Sequence, residues 1–195
     1  MLDFSELTAE DARSYRNAYA AAGEPRRRWL AAELSAAGQP SALLDGPEEL
    51  PALWDWYTRW FDSAGARELT LRTSQPADDP QRGTRPPWHA AEPSEYFSDD
   101  GLWLIDLVGI HWGLLAKAAI PEAEWVVYAD KGPDPKRGVD VNYQRTMLAA
   151  PGVRHFDPAS MVHGITVSHF LRNGPWDRYG GLPGLYAHVT RDLGA

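Results

Sequence analysis

The stretch from Leu102 to Ile120, the longest apolar run of the chain, constrains the fold more than any other feature. Asp106, His111 and Lys117 interrupt it and Gly109 and Gly113 sit within it, so it reads as a buried helix and not as a membrane span. Leu102, Trp103, Ile105, Leu107, Val108, Trp112, Leu114 and Leu115 are spread around the wheel, so a helix over 99–119 is apolar on nearly every face. Such a helix needs cover on all sides, which makes it the centre of the fold. Gly109 and Gly113 then mark close approach by a neighbouring backbone, because glycine otherwise costs helix stability.

The elements that would cover it can be read on either side. Thr8-Ala9-Glu10-Asp11 resembles a capping box with Asp for Glu, and the alanine-rich run behind it ends at Gly23. Pro25 opens a second helix with Trp29, Leu30 and Leu34 on one side, stopped by Gly38 and Pro40. The two are expected to form a helical hairpin over 8–38. Arg26, Arg27 and Arg28 stand at the start of the second helix, where the dipole disfavours cations; a contact outside the helix would account for them, and the favoured reading of their pattern is a solvated face. A third helix runs to Ala64 with Leu50, Leu53, Trp54, Tyr57, Trp60 and Phe61 at three- and four-residue steps, the strongest periodic signal here. Trp56 falls off that stripe.

From Gly65 to Pro93 the composition turns to Pro, Asp, Arg, Gly and Thr, which reads as a loop, proline-rich over 74–93. Glu68 to Thr73 alternates apolar and polar residues and could open it as a short strand. Ala77 to Thr84 has no apolar anchor and is expected to be mobile and the first site of proteolysis. Pro86-Pro87-Trp88-His89 is the part expected to be anchored, since a rigid polyproline segment can present Trp88 at low entropic cost.

Beyond Pro121 the period changes to two. Trp125 to Ala129 and Val139 to Tyr143 read as strands of a hairpin, with Val153 to Phe156 as a third short strand. Asp157-Pro158 starts a helix toward Gly174, and Gly180-Gly181-Leu182-Pro183-Gly184 leads as a turn into a last helix ending near Leu193. The expected class is α+β, mostly helical: five or six helices around the central apolar one, with a small antiparallel sheet. The length of 195 residues suits a single domain over 1–195, since domains cluster at roughly 100 to 200 residues.

The chain has no cysteine, which removes disulfides, thiolate zinc sites and cysteine nucleophiles, and a cytoplasmic setting fits best. Its first residues, Met1-Leu2-Asp3-Phe4-Ser5-Glu6, are acidic where a secretory signal would be basic. The net charge of −8 disfavours general nucleic-acid binding and leaves a basic protein partner open. Asp78, Asp79, Asp99 and Asp100 are expected to be exposed and, with Trp88 and His89, are the candidate binding residues.

Chemical motifs are sparse. His163 and His169 stand six apart, off the spacing that places two ligands on one helical face. Only convergence of His155, His163 and Asp106 would suggest a metal, and none is assigned. Phosphate loops and a GxSxG elbow are absent, so no cofactor is expected. The polar positions left for an enzyme are Asp106, His111 and His155, in a pocket beside the proline-rich loop.

Leu50-Pro51-Ala52-Leu53-Trp54-Asp55-Trp56, Pro86-Pro87-Trp88, the helix Leu104 to Gly113 and a strand opened by Trp125 together resemble a group of small uncharacterised actinobacterial proteins. The resemblance covers about two thirds of the chain, from residue 45 on. Their helix-plus-small-sheet layout is similar to some immunity proteins of bacterial toxin systems, which implies binding without catalysis. The chain departs from the group where Gly113 is followed by Leu114 in place of Glu, which counts against a carboxylate mechanism there. Two functions are therefore weighed. One is a noncatalytic acidic binding protein, an immunity-type inhibitor of a basic toxin or effector being its specific form. The other is a small hydrolase-like enzyme using Asp106, His111 or His155.

Overall fold

A computed structural model describes residues 4–65, 67–83, 96–120, 122–129, 143–151, 155–171, 174 and 176–194. Trp88, His89 and residues 139–142 and 153–154 lie outside these, as do the expectations placed on them. Among the described residues the order is α1 (Ala9–Ala21), α2 (Gly23–Ala36), α3 (Leu50–Ala64), α4 (Asp99–Ala119), β1 (Glu124–Val127), β2 (Thr146–Ala149), α5 (Pro158–Leu171) and α6 (Leu182–Gly194). This is the mostly helical α+β class that the patterning implies.

Helix α4 is the centre. Ser98 caps it by accepting from the Gly101 N–H at 3.0 Å, and every residue from Gly101 to Gly113 is buried. Length and apolarity alone would let it cross a bilayer, yet here other helices cover it: α5, α2 and α6 pack around it. Its glycines allow that approach. A Cβ at Gly109 would stand 2.7 Å from the Ala159 Cα, and one at Gly113 would meet Pro158 at 2.9 Å, so this one face of α4 admits the start of α5 because both positions are glycine.

Helices α1 and α2 occupy the expected hairpin region but meet at one residue, Ala22, which keeps near-helical torsions (φ −73°, ψ −11°). They then part, α1 packing on the strands and α2 on α4. Helix α3 buries Leu50, Leu53, Tyr57, Trp60 and Phe61, and Trp56 is buried too, its ring tilted against Trp60 at 5.1 Å. Gly180 and Gly181 take positive φ (64° and 95°) to turn the chain into α6 beneath Trp54.

The sheet differs from the sequence pattern. β1 pairs antiparallel with β2, Trp125 opposite Leu148 and Val127 opposite Thr146; Tyr143 belongs to the turn that precedes β2. Thr146, Met147 and Leu148 are all buried, so β2 has no solvent face and shows no alternation to reveal it. The third strand reduces to one bridge, Leu148 with Phe156. Residues 68–73 form no strand, because carboxylates take the amides that a neighbouring strand would have used. Asp100 accepts from the Leu71 N–H at 2.9 Å, and Glu33 from those of Arg72 and Thr73 at 3.0 and 2.6 Å.

Candidate functional site

The most concentrated electrostatic feature lies inside the protein. Arg26 sits on the buried stripe of α2, in step with Trp29, Leu30, Glu33 and Leu34, so its side chain points toward α4. All three guanidinium nitrogens are used: Nη1 donates to Asp106 at 2.6 Å, Nε to Asp79 at 3.2 Å and Nη2 to Gln81 at 2.7 Å. Its plane also lies 5.1 Å from the Trp103 ring and 5.5 Å from that of Tyr19, within cation–π range. The Arg26, Asp79 and Asp106 side chains are fully shielded from solvent. Burial works to lower the Arg26 pKa, but Asp106 and Asp79 outweigh it and hold the group charged.

This arrangement corrects two expectations. Arg26 is no part of a solvated face: consecutive helical residues fan by about 100°, so Arg26 turns inward while Arg28 stays exposed and pairs with Asp78. Arg27, half-buried between them, donates to the Leu44 carbonyl at 2.8 Å. Nor is the segment 77–83 without an anchor. Asp79 accepts from Arg26, from Gln75 Nε2 at 2.9 Å and from the Gln81 N–H at 2.8 Å, while Gln75 accepts from the Gly83 N–H at 2.9 Å. The loop is a closed turn bolted to α2; Thr84 lies outside the described residues.

The candidate binding carboxylates therefore divide. Asp78 and Asp99 are exposed. Asp79, 4% exposed, and Asp100, half-buried, are internal acceptors that hold the loop, which overturns their placement on the surface.

The three polar residues weighed for an enzyme are not brought together. Asp106 is sealed against Arg26. His111, on the same helix, is 1% exposed, and neither ring nitrogen has a hydrogen-bond partner among the described residues. Burial first, and Arg27 second, push its pKa down to about 4, so the ring is neutral. His155 is exposed, its ring edge-on to Tyr128 at 5.3 Å. Among the described residues no three His, Asp or Glu side chains form a group that could hold a metal ion. His163 and His169 pack against aromatic rings, Phe97 and Trp54 respectively.

The described residues also line two cavities. A small one of about 10 Å³ is lined by Phe4, Tyr15, Tyr19, Arg145, Thr146 and Asp157. The Tyr19 and Thr146 hydroxyls are buried and make no hydrogen bond among the described residues. Asp157 caps α5 by accepting from the Ser160 N–H at 3.2 Å, accepts also from Ser160 Oγ at 2.8 Å and lies 3.5 Å from Arg145; burial nevertheless pushes its pKa up. The space suits one water molecule. A larger cavity of about 310 Å³ lies between α1 and the end of β1, lined by Arg13, Arg16, Val127, Tyr128, Tyr143 and Gln144 among others. Neither is lined by Asp106, His111 or His155.

A third surface feature escaped the sequence reading. The apolar stripe of α3 leaves Pro51, Ala52, Asp55, Arg59 and Asp62 on its outer side, and all five are exposed. Asp55 and Asp62 stand seven residues, two turns, apart on one face, with Asp45 and Glu48 exposed just before the helix. None of these carboxylates forms an ion pair among the described residues. The signal was present, since the positions complementary to a strong apolar stripe define its solvent face.

Compared with protein-family models, with curated proteins and with solved structures, the chain matches none.

Proposed function

We propose that the chain is a noncatalytic acidic binding protein that meets a basic protein partner through the outer face of α3. The observation that carries this reading is the pair Asp55 and Asp62, exposed, two turns apart and without an ion pair among the described residues. Asp45 and Glu48 extend the same charge toward the helix start, and Arg59, its side chain donating to the Asp55 carbonyl at 2.9 Å, is the cation between them. A face of this sign accelerates encounter with a basic surface more than it tightens the final complex. The hydrolase alternative has less support. Asp106 is engaged by Arg26 and closed to solvent, and His111 is equally enclosed. An immunity-type inhibitor of a basic toxin or effector is the narrower form of the proposal, supported by the acidic face and the helix-plus-small-sheet layout.

The test begins with recovery of a protein partner from the native host and measurement of its association rate at two salt concentrations. Association should slow as salt screens the face, over a Debye length of about 10 Å at 0.1 M. Asp55→Lys with Asp62→Lys should slow it further. Recovery of a small molecule alone, or turnover of a substrate that His111→Ala abolishes, would replace the binding reading with the enzymatic one.

A further inference from the structure

Among the described residues the outer edge of β1 is unfilled beyond Trp125, and the hydrogen-bond pattern says which atoms face it. Leu148 exchanges both backbone bonds with Phe156, at 2.8 and 3.0 Å, so it points away from β1. Its partner in register, Trp125, therefore points away from β2, and by the alternation of an antiparallel ladder so does Val127. The Trp125 carbonyl is covered on that outer side by α1, accepting from Arg16 Nη1 at 3.2 Å. Two residues on, the helix leaves the strand and the 310 Å³ cavity opens between Ala9, Arg13 and Arg16 on one side and Val126 to Ala129 on the other. The N–H and C=O of Val127 make no hydrogen bond on this outer side among the described residues.

The end of the groove is closed. Gln144, a non-glycine residue at φ 64°, turns the chain so that its N–H reaches the Tyr128 carbonyl at 2.7 Å, and its side-chain Nε2 donates to the Leu7 carbonyl at 2.6 Å. This ties the approach to α1 to the end of the strand pair. Tyr128 and Tyr143 add aromatic walls. The charge of the groove is opposite to that of the chain: Arg13 is exposed and forms no ion pair among the described residues, with Arg16 one turn further along, in a protein of net charge −8. The volume lies at the lower end of the roughly 300 to 1,000 Å³ of ligand sites.

We propose that this groove accepts a short extended acidic peptide segment as an added strand beside β1. The Val127 N–H and C=O pair with the peptide backbone, and Arg13 meets a side-chain carboxylate of the incoming segment. Strand addition supplies the main-chain bonds, while the arginine and the tyrosine walls supply selectivity. The site is separate from the acidic face of α3 and would serve a ligand of opposite charge, so it stands or falls independently of the function proposed above.

The probe is a short, end-blocked peptide alternating valine and glutamate, titrated into the isotope-labelled full chain by amide NMR. Saturable binding should shift the Val127 amide and slow its hydrogen exchange. The same peptide with lysine for glutamate should bind about tenfold or more weakly, and Arg13→Gln should weaken the acidic peptide about five- to tenfold. Because Arg13 is exposed, that variant should fold normally. A peptide N-methylated at alternate amides needs no variant at all and should lose both binding and the Val127 shift. Equal binding of the lysine peptide, an unmoved Val127 amide, or full retention of binding by the N-methylated peptide would overturn the proposal. So would acetate alone reproducing the Val127 shift, since that describes an anion site without strand addition.

Discussion

The loop over 67–83 and the outer face of α3 both carry carboxylates beside apolar helices, yet those carboxylates do opposite things. In the loop Asp79 is an internal acceptor, matched by Asp106, Glu33 and Asp100 on the helices around it, and each of the four holds a specific donor. On α3 Asp55 and Asp62 hold none among the described residues and stay in solvent. Part of the formal charge of −8 is thus spent on joining irregular backbone to helices, and only the remainder is available to a partner. Charge counted along a chain becomes a statement about its surface only after the buried acceptors are removed.

Arg26→Ala should have the largest effect, because it would remove the guanidinium that Asp79 and Asp106 share in the interior. Breaking a buried pair in this way costs roughly 3–5 kcal/mol, measurable by urea denaturation. A loss no larger than that of a surface variant would mean that the cluster is hydrated and the contrast between the two regions is false.

His111 sharpens the comparison from within, being a buried polar group with no counter-charge. The unfolded chain would take up a proton near pH 6.5, the folded one only near 4. Stability from this group is therefore full above about 6.5 and falls as the pH drops toward 4, by on the order of 3 kcal/mol. His111→Leu should flatten that stretch of the pH profile. An unchanged slope would show that other groups govern it.

Asp79→Ala comes next, with an expected loss of about 1–3 kcal/mol from unpaired donors in the closed turn. Limited proteolysis separates local from global effects: the native loop at 77–83 should resist cleavage that the variant admits. Rapid cutting of the native chain there would restore the picture of an unanchored loop.

The fold was legible where burial leaves a period. Helix α3 announces itself through Leu50, Leu53, Tyr57, Trp60 and Phe61, and α4 through unbroken apolarity with two glycines at contact points. β2 was not legible, because Thr146 to Leu148 are buried on both sides and alternate in nothing. The polar cluster was half visible. Arg26 and Glu33 fall on the same stripe as Trp29, Leu30 and Leu34, a position that argues for burial, but the run of three arginines reads as a charged surface until the helix separates their directions. Which acidic residues would meet Arg26 was beyond the sequence, since Asp79 and Asp106 come from segments 53 and 80 residues away.

The smallest expected effect belongs to Asp55→Lys with Asp62→Lys, each within about 0.5 kcal/mol as exposed substitutions usually are. Set beside Asp79→Lys with Asp100→Lys, it gives the most direct measurement of the central claim, because the two double variants make the same change in net charge. Thermal unfolding of the pair is predicted to leave the α3 variant within about 2–4 °C of the native chain, the shift for a summed ~1 kcal/mol in a domain of this size. The loop variant should melt many degrees lower. Equal melting temperatures for the two would contradict the division of this protein's carboxylates into internal anchors and a free acidic face.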